Sequence, residues 1–164
     1  MAAYSELARR GLSIINIEPF EYDHFFSEGI HYLENRFSPQ TVQYYLNSSN
    51  LLSIREDIPE FLKLVDHQSR KPTITDIDTF LEAGCLVGAE INSGILNQSE
   101  ELSLHYVLVY AKNSTSYFIN DPGFPPHEKR EVNKQLFYSA FGTDRTNGEV
   151  TAICQSNPQS WKQK

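Results

Sequence analysis

The clearest pattern of apolar and polar positions lies in Leu102–Gly123, which reads LSLHYVLVYAKNSTSYFINDPG. Leu104–Ala111 and Ser116–Ile119 are rich in the β-branched and aromatic residues that favour strands. Lys112–Thr115 between them is polar and turn-like. The pattern therefore predicts a β-hairpin with a loop of about four residues. Pro122-Gly123 is expected to end the second strand, because proline cannot extend a hydrogen-bonded ladder.

Residues 1–70 mostly carry apolar positions at helical spacing. In Tyr22–Phe37, for example, Phe25, Phe26, Ile30 and Leu33 recur in the way that one face of a helix requires. The elements predicted for this half are a helix over Ser5–Arg10, a strand over Leu12–Ile17, a helix over Tyr22–Phe37, a helix from Ser38-Pro39 to Leu46, and a helix over Ser53–His67. The polar segment Gln68–Pro72 is expected to connect this half to the next.

Residues 71–155 alternate between short helices and strands. The predicted elements are a helix over Thr75–Ala83 capped by Thr75, a strand over Cys85–Ile91, a polar loop over Asn92–Glu101, the hairpin, a proline-rich turn over Phe124–Lys129, a helix over Glu131–Phe141, a loop over Gly142–Gly148 and a strand over Glu149–Cys154. Gly88 within the first of these strands suggests the close approach of another backbone. Ser156–Lys164 is expected to be a polar tail that Trp161 could dock.

These elements predict an α+β fold, with a helical N-terminal half packed on a small antiparallel β-sheet. The length of 164 residues is that of a single domain. We therefore expect one domain over residues 1–164, composed of a helical half at 1–70, a sheet half at 71–155 and a tail at 156–164.

Composition narrows the classes of function. The net charge is −7 and no basic cluster exceeds Lys129-Arg130, so nucleic-acid binding is not expected. No apolar run reaches the roughly 18 residues of a membrane span, and MAAYSELARR has no apolar signal core. Two cysteines in separate segments do not suggest a disulfide framework, so we expect a cytoplasmic protein. The five histidines lack metal-ligand spacing, and neither a metal nor a cofactor is expected.

His105 and Asp121 are the candidate catalytic residues, because they stand at the two open ends of the predicted hairpin. If Ala111 pairs with Ser116, Asp121 lies opposite Tyr106. One bulged residue in the loop would place Asp121 directly opposite His105, with Cβ atoms about 5 Å apart. A histidine held by an aspartate is a general base with a fixed tautomer. The structural alternative is a buried histidine bonded to a carbonyl, with Asp121 serving only as a turn residue.

Two segments of the chain resemble the C39-like peptidases, a branch of the papain-like cysteine peptidases. They read TITDIDTFLEAGCLVGAEINSGIL and LHYVLVYAKNSTSYFINDPG, and the earlier run ELARRGLSIINIEPFEYDHFFSEGIHYL is similar to the segment preceding that core in one subgroup. The shared pattern is a helix, a glycine, an apolar strand ending in Asn, a His-Tyr-Val strand and Asp-Pro-Gly. The resemblance implies a papain-like fold, a catalytic role for His105, an orienting role for Asp121 and a peptide or protein substrate.

The nucleophile of that family has no counterpart in the chain. It is a cysteine at the N-terminus of a helix, where the helix dipole lowers the thiol pKa and free N–H groups can stabilise an oxyanion. Cys85 enters a predicted strand and Cys154 ends the last one, so neither fits. Met1 falls about where the nucleophile helix is expected to have ended.

Three functions stay open at this stage. The first is a thiol peptidase or amide hydrolase whose nucleophile segment lies outside this chain. The second is a catalytically silent relative that binds a peptide in the inherited cleft, and the third is an interaction module without that ligand. Because a missing helix would leave apolar surface uncovered, we also expect self-association through the face beside His105.

Overall fold

The computed structural model describes residues 1–99, 101–123, 125–141 and 148–155. The sequence analysis also predicted a loop over Gly142–Gly148 and a tail over Ser156–Lys164 with Trp161. The tail and residues 142–147 lie outside the described residues. The described elements are, in chain order, α1 (Ala2–Arg9), β1 (Leu12–Glu18), α2 (Tyr22–Glu28), α3 (Ile30–Arg36), α4 (Pro39–Asn47), a 3-10 helix (Leu51–Asp57), α5 (Ile58–Leu64), β2 (Asp66–Ser69), α6 (Ile74–Glu82), β3 (Leu86–Asn92), α7 (Ser93–Leu96), β4 (Leu104–Lys112), β5 (Ser116–Asp121), β6 (His127–Asn133), α8 (Lys134–Phe141) and β7 (Val150–Gln155).

One mixed sheet runs through the described part of the chain, in the strand order β2-β1-β7-β3-β4-β5-β6. Only the β1–β2 pair is parallel, and the other neighbours are antiparallel. The predicted α+β class is confirmed, and most helices lie in the N-terminal half. The expected small antiparallel sheet is wrong in extent, because β1 and β2 from that half join it through β7.

Two apolar cores flank this sheet. One is built from β3, β4, β5 and β7 with α6 and α8, and its fully buried side chains include Ile77, Val107 and Phe137. The other joins β1 to α2, α3 and α5 around Phe25, Leu33 and Phe61. Burial of each such side chain contributes roughly 1.5–3 kcal/mol. The strand ends that hold His105 and Asp121 are therefore anchored in the first core.

The single helix expected over Tyr22–Phe37 is wrong, because the chain breaks at Gly29. Gly29 has φ of 60° and ψ of −124°, a conformation that interrupts the helix and favours glycine. The Arg55 side chain donates to the carbonyls of Phe26 and Ser27, at 2.8 and 3.1 Å, and so satisfies two carbonyls at the break. The apolar stripe is real, but it is divided between α2 and α3.

The helix expected over Ser53–His67 is also wrong in its bounds. It begins as the 3-10 helix, continues as α5 and ends at Leu64, after which Val65 is extended. His67 lies in β2 instead, paired with Asn16 of β1. Both ring nitrogens of His67 have partners, because Nδ1 lies 2.7 Å from Asn16 Oδ1 and Nε2 lies 2.8 Å from the Phe20 carbonyl. Burial lowers the pKa of His67, although the hydrogen bond to Phe20 opposes the shift.

β6 replaces the predicted proline-rich turn over Phe124–Lys129 from His127 onward, and Phe124 lies outside the described residues. The helix predicted from Glu131 begins at Lys134 instead, as α8. β6 extends to Asn133 because it pairs with β5, with Tyr117 opposite Val132. Asn133 Oδ1 then accepts the Gln135 N–H at 2.9 Å, at the start of α8. Thr73 rather than Thr75 caps α6, through a capping box with Asp76.

Cys85 and Cys154 form a disulfide, which the sequence analysis did not expect. The two residues stand opposite each other at the ends of β3 and β7, with Cα atoms 4.4 Å apart. The bond closes a separation of 69 residues, for which chain-entropy arguments give about 4 kcal/mol of stabilisation. Neither cysteine therefore carries a free thiol.

Among the described residues, no helix combines the length and the apolar character needed to cross a bilayer.

Candidate active site

His105 and Asp121 form the predicted hydrogen bond. His105 Nε2 lies 2.7 Å from Asp121 Oδ1. The Asp121 side chain is 5% exposed and that of His105 is 25% exposed. The carboxylate is thus held inside the protein, while the imidazole reaches the surface.

The route to this contact differs from the predicted one. A bulge at Tyr110 shifts the β4–β5 register, and beyond it Leu108 pairs with Asn120. Continuing that register places Asp121 opposite Val107, two positions from His105. The pair is therefore diagonal and on one face of the sheet, where longer side chains still meet. The expected bulge exists, but it lies in β4 rather than in the loop.

The Asp121 carboxylate has further partners. Oδ1 accepts the Gly123 N–H at 2.9 Å, and Oδ2 lies 3.6 Å from Nη1 of Arg130. A Cβ atom at Gly123 would stand 2.9 Å from Asp121 Oδ1 and 3.3 Å from His105 Nε2. Only glycine therefore fits here without displacing the pair. The sequence analysis missed Arg130, whose place opposite Ile119 depends on the unpredicted strand β6.

The segment expected as a loop over Asn92–Glu101 contains the short helix α7, and its first two residues form hydrogen bonds to Ser103, directly before β4. Asn92 Oδ1 accepts the N–H groups of Gly94 and Ser103, at 3.1 and 3.0 Å. The Ser93 hydroxyl donates to the Ser103 carbonyl at 3.1 Å. These bonds fix the chain two residues before His105.

Two cavities are lined by His105. A groove of about 460 Å³ lies between the sheet and the helical segments, and its lining includes His105, Tyr45, Tyr106, Glu18 and Glu149. A smaller polar cavity of about 220 Å³ borders His105 and Asp121. Among the described residues, none forms a hydrogen bond to His105 Nδ1. That nitrogen is therefore available as a base.

A carboxyl cluster in the groove was not predicted from the sequence. Burial and then the neighbouring Glu149 raise the pKa of Glu18 to about 7. Burial likewise raises the pKa of Glu149 and of Glu90. Tyr22 donates to Glu18 Oε1 at 2.7 Å, and Asn16 Nδ2 lies 3.2 Å from Glu149 Oε1. Glu18 and Glu149 are half-buried at strand ends that meet only in the folded sheet, so local sequence gives no signal for the cluster.

Tyr106 links this cluster to the strand that carries His105. Its hydroxyl donates to Glu149 Oε1 at 3.3 Å and accepts from Tyr4 at 3.1 Å. Burial, with Glu149 second, raises the Tyr106 pKa. A Cβ atom at Gly88 would clash with the Tyr106 ring, so the close neighbour at that glycine is a side chain and not the predicted backbone.

Two of the other histidines, His24 and His31, lie on the surface beside Glu28 and Glu34. Within the part of the chain that the structure describes, no group of three or more His, Cys, Asp or Glu residues could hold a metal ion. The expectation that the protein uses no cofactor stays a prediction.

The cysteines lie far from His105. His105 pairs with Ile91 of β3, and Cys85 precedes Ile91 by six residues along the same chain direction. At about 3.4 Å per residue, the disulfide is about 20 Å from the imidazole. Neither sulfur can therefore act with this base.

Comparison with models of protein families finds no match for the chain, and comparison with curated proteins finds none either.

Proposed function

We propose that this chain contributes the general base and its orienting carboxylate to a cysteine-peptidase-like acyl-transfer site of the C39-like type, within a papain-like fold. His105 is the base and Asp121 holds it. The observation that carries the proposal is the 2.7 Å bond between His105 Nε2 and the buried Asp121 carboxylate. The substrate class proposed is a peptide or protein, bound in the 460 Å³ groove.

The bond assigns a tautomer to the neutral imidazole. Asp121 accepts the proton on Nε2, so the lone pair remains on Nδ1. A thiol in the groove would pass its proton to Nδ1, and its sulfur would attack the acyl carbon. The bond from the acyl carbon to the leaving amine would then break, and the amine would take the proton from Nδ1, leaving a thioester and a neutral imidazole. Positioned base catalysis of this kind contributes roughly 10²–10⁴-fold in rate.

The nucleophile is proposed to come from residues outside this chain, on an adjoining or partner polypeptide. Cys85 and Cys154 are tied in a disulfide about 20 Å away. The chain alone is therefore expected to show no peptidase activity, because a base and its orienting residue cannot replace a covalent nucleophile.

Thiol rescue tests the proposal. The probe pair is the p-nitrophenyl ester of a short blocked peptide and 2-mercaptoethanol, with release of p-nitrophenol as the readout. We expect acyl transfer to the thiol to be about tenfold faster with the wild type than with His105→Gln. His31→Gln, an exposed histidine, is the matched control and should equal the wild type. Equal rates for the wild type and His105→Gln would refute the assignment, and mass spectrometry would verify that the disulfide stays intact.

A non-catalytic peptide-binding module is the second candidate function. The disulfide favours it, because no thiol of this chain is free while the groove is present. This candidate predicts peptide binding that His105→Gln leaves unchanged and no thiol rescue at all. Titration calorimetry with a peptide library would separate the two.

Two wider expectations also remain proposals. Self-association through the face beside His105 is supported by Leu104, which is 48% exposed next to that residue. A concentration-independent monomer in analytical ultracentrifugation would contradict it.

Cytoplasmic localisation stays a prediction that the disulfide opposes, because disulfides persist mainly in oxidising compartments. A thiol titration of protein from fractionated cells would decide the point.

A further inference from the structure

Arg130 touches the candidate site from a strand that local sequence does not predict. Its Nη1 lies 3.0 Å from Asn97 Oδ1 and 3.6 Å from Asp121 Oδ2, and its Nη2 lies 2.6 Å from the Leu96 carbonyl. The side chain is 22% exposed. One guanidinium thus joins β6, the end of α7 and the buried carboxylate.

From this geometry we infer that Arg130 is a positioning residue, which fixes the plane of the Asp121 carboxylate so that Oδ1 faces His105. The inference rests on the proposed function for its catalytic meaning. Arg130 is needed because the aspartate side chain has only a weak torsional preference of its own. Rotation about the terminal Cβ–carboxyl bond is broad and roughly two-fold, so burial alone does not select one orientation.

The two carboxylate oxygens receive different partners. Oδ1 accepts from His105 Nε2 and from the Gly123 N–H, whereas Oδ2 faces the Arg130 cation. A planar guanidinium that is anchored at Leu96 and Asn97 cannot follow a rotating carboxylate. Its fixed charge therefore favours the carboxylate plane in which one oxygen faces the guanidinium and the other faces the imidazole.

The backbone conformation of β6 places Arg130 on the face of the sheet that also carries Asp121. The β5–β6 register is irregular between Ile119 and Asp121, and Lys129 takes a left-handed conformation with φ of 52°. Asn120 Oδ1 accepts the Lys129 N–H at 3.0 Å and holds that conformation. Bulges of this kind redirect side chains beside functional sites. Arg130 consequently shares the face of Ile119 and Asp121, while Lys129 is exposed.

The test measures the exchange of the His105 Nε2 proton with water, by side-chain ¹⁵N–¹H NMR of the full chain. The variants are Arg130→Met, which keeps the stem without charge or donors, and Arg130→Lys, which keeps the charge without the planar fork. Lys129→Met removes the same charge from the neighbouring exposed position and is the matched control. We expect exchange about tenfold faster in Arg130→Met, intermediate in Arg130→Lys, and unchanged in Lys129→Met.

A double-mutant cycle with Asp121→Asn separates positioning from a purely structural role. If Arg130 acts through the carboxylate, Arg130→Met has little further effect on exchange in the Asp121→Asn background. An equal acceleration in both backgrounds, or an unchanged rate in a folded Arg130→Met, overturns the inference. Should Arg130→Met fail to fold, the same cycle with Arg130→Lys decides, and an unchanged rate there overturns it too. Absence of a protected Nε2 proton in the wild type would instead refute the proposed function.

Discussion

Two polar regions border the same groove and are built on opposite electrostatics. At the β4–β5 end, the Asp121 carboxylate is buried among donors, namely His105, Gly123 and Arg130. At the β1–β7 end, Glu18 and Glu149 are half-buried, and Glu149 adds to the effect of burial in raising the Glu18 pKa. Donors and a cation surround the Asp121 carboxylate, whereas burial in the second region penalises the charged forms of Glu18 and Glu149. The two regions therefore differ in what surrounds a buried carboxyl group.

Removal of the disulfide should have the largest effect on stability and should leave both polar regions unchanged. Replacing Cys85 and Cys154 together by alanine should lower the free energy of unfolding by about 4 kcal/mol, because the unfolded chain regains its loop entropy. Chemical denaturation measures the loss. The His105 Nε2 resonance should stay unchanged, since the disulfide is about 20 Å from it. A loss of that resonance in the folded double variant would contradict the separation.

Removal of the Asp121 carboxylate should lower the free energy of unfolding by nearly as much as removal of the disulfide. Asp121→Ala leaves Arg130 and His105 without their carboxylate, and removal of one partner from a buried pair costs about 3 kcal/mol. Asp66→Ala, at an exposed position in β2, is the control and should stay within about 0.5 kcal/mol of the wild type. Urea denaturation of the two variants makes the comparison, and equal values would show that the pair adds no stability.

The second region should make stability depend on pH. The Glu18 pKa is raised from its ordinary 4.5 to about 7, so between these values the unfolded chain releases a proton that the folded chain keeps. The stability from this group is complete below pH 4.5 and is lost as the pH rises through about 7. Glu18→Gln should therefore gain about 2 kcal/mol over the wild type at pH 8 and little at pH 4.

Urea denaturation across this pH range provides the measurement for Glu18→Gln. Glu56→Gln, at an exposed position, is the matched control and should follow the wild-type curve. A gain that is the same at both ends of the range would contradict the raised pKa.

The smallest expected effect is the loss of stability in Gly123→Ala, which tests how closely Gly123 packs against Asp121. Gly123→Ala places a Cβ atom 2.9 Å from Asp121 Oδ1 and should cost about 1 kcal/mol. In the Asp121→Ala background the same substitution should cost less, because the closest contact is gone and only the contact with His105 Nε2 at 3.3 Å remains. A cost that is identical in both backgrounds would place the strain in the Gly123 backbone instead.

The hairpin and the apolar strands could be predicted from sequence because their signals are local. Leu104–Ala111 and Ser116–Ile119 read as strands without reference to any other segment, and β4 and β5 contain them. β6 could not be predicted in this way. Its sequence HEKREVN is charged and pairs with β5 at the edge of the sheet, where such residues are tolerated and prevent further pairing.

The site was predictable only in part for the same physical reason. His105 and Asp121 share one hairpin, so their proximity follows from sequence spacing. Arg130 reaches Asp121 only through the β5–β6 register, and Glu18 meets Glu149 only because β7 lies beside β1. The Cys85–Cys154 bond likewise depends on β7 lying beside β3. Tertiary pairing between distant segments, rather than local preference, creates these features.

The most direct measurement of the central claim is the protonation pattern of the His105 ring in the neutral state, from the ¹⁵N chemical shifts of its two nitrogens. Assignment uses His105→Gln, in which the two signals disappear. We expect a proton on Nε2, donated to Asp121, and a bare lone pair on Nδ1. In Asp121→Asn that preference should be lost, because the amide presents a donor as well as an acceptor. A wild-type ring protonated on Nδ1, or a pattern that Asp121→Asn leaves unchanged, would contradict the assignment of His105 as a base held by Asp121.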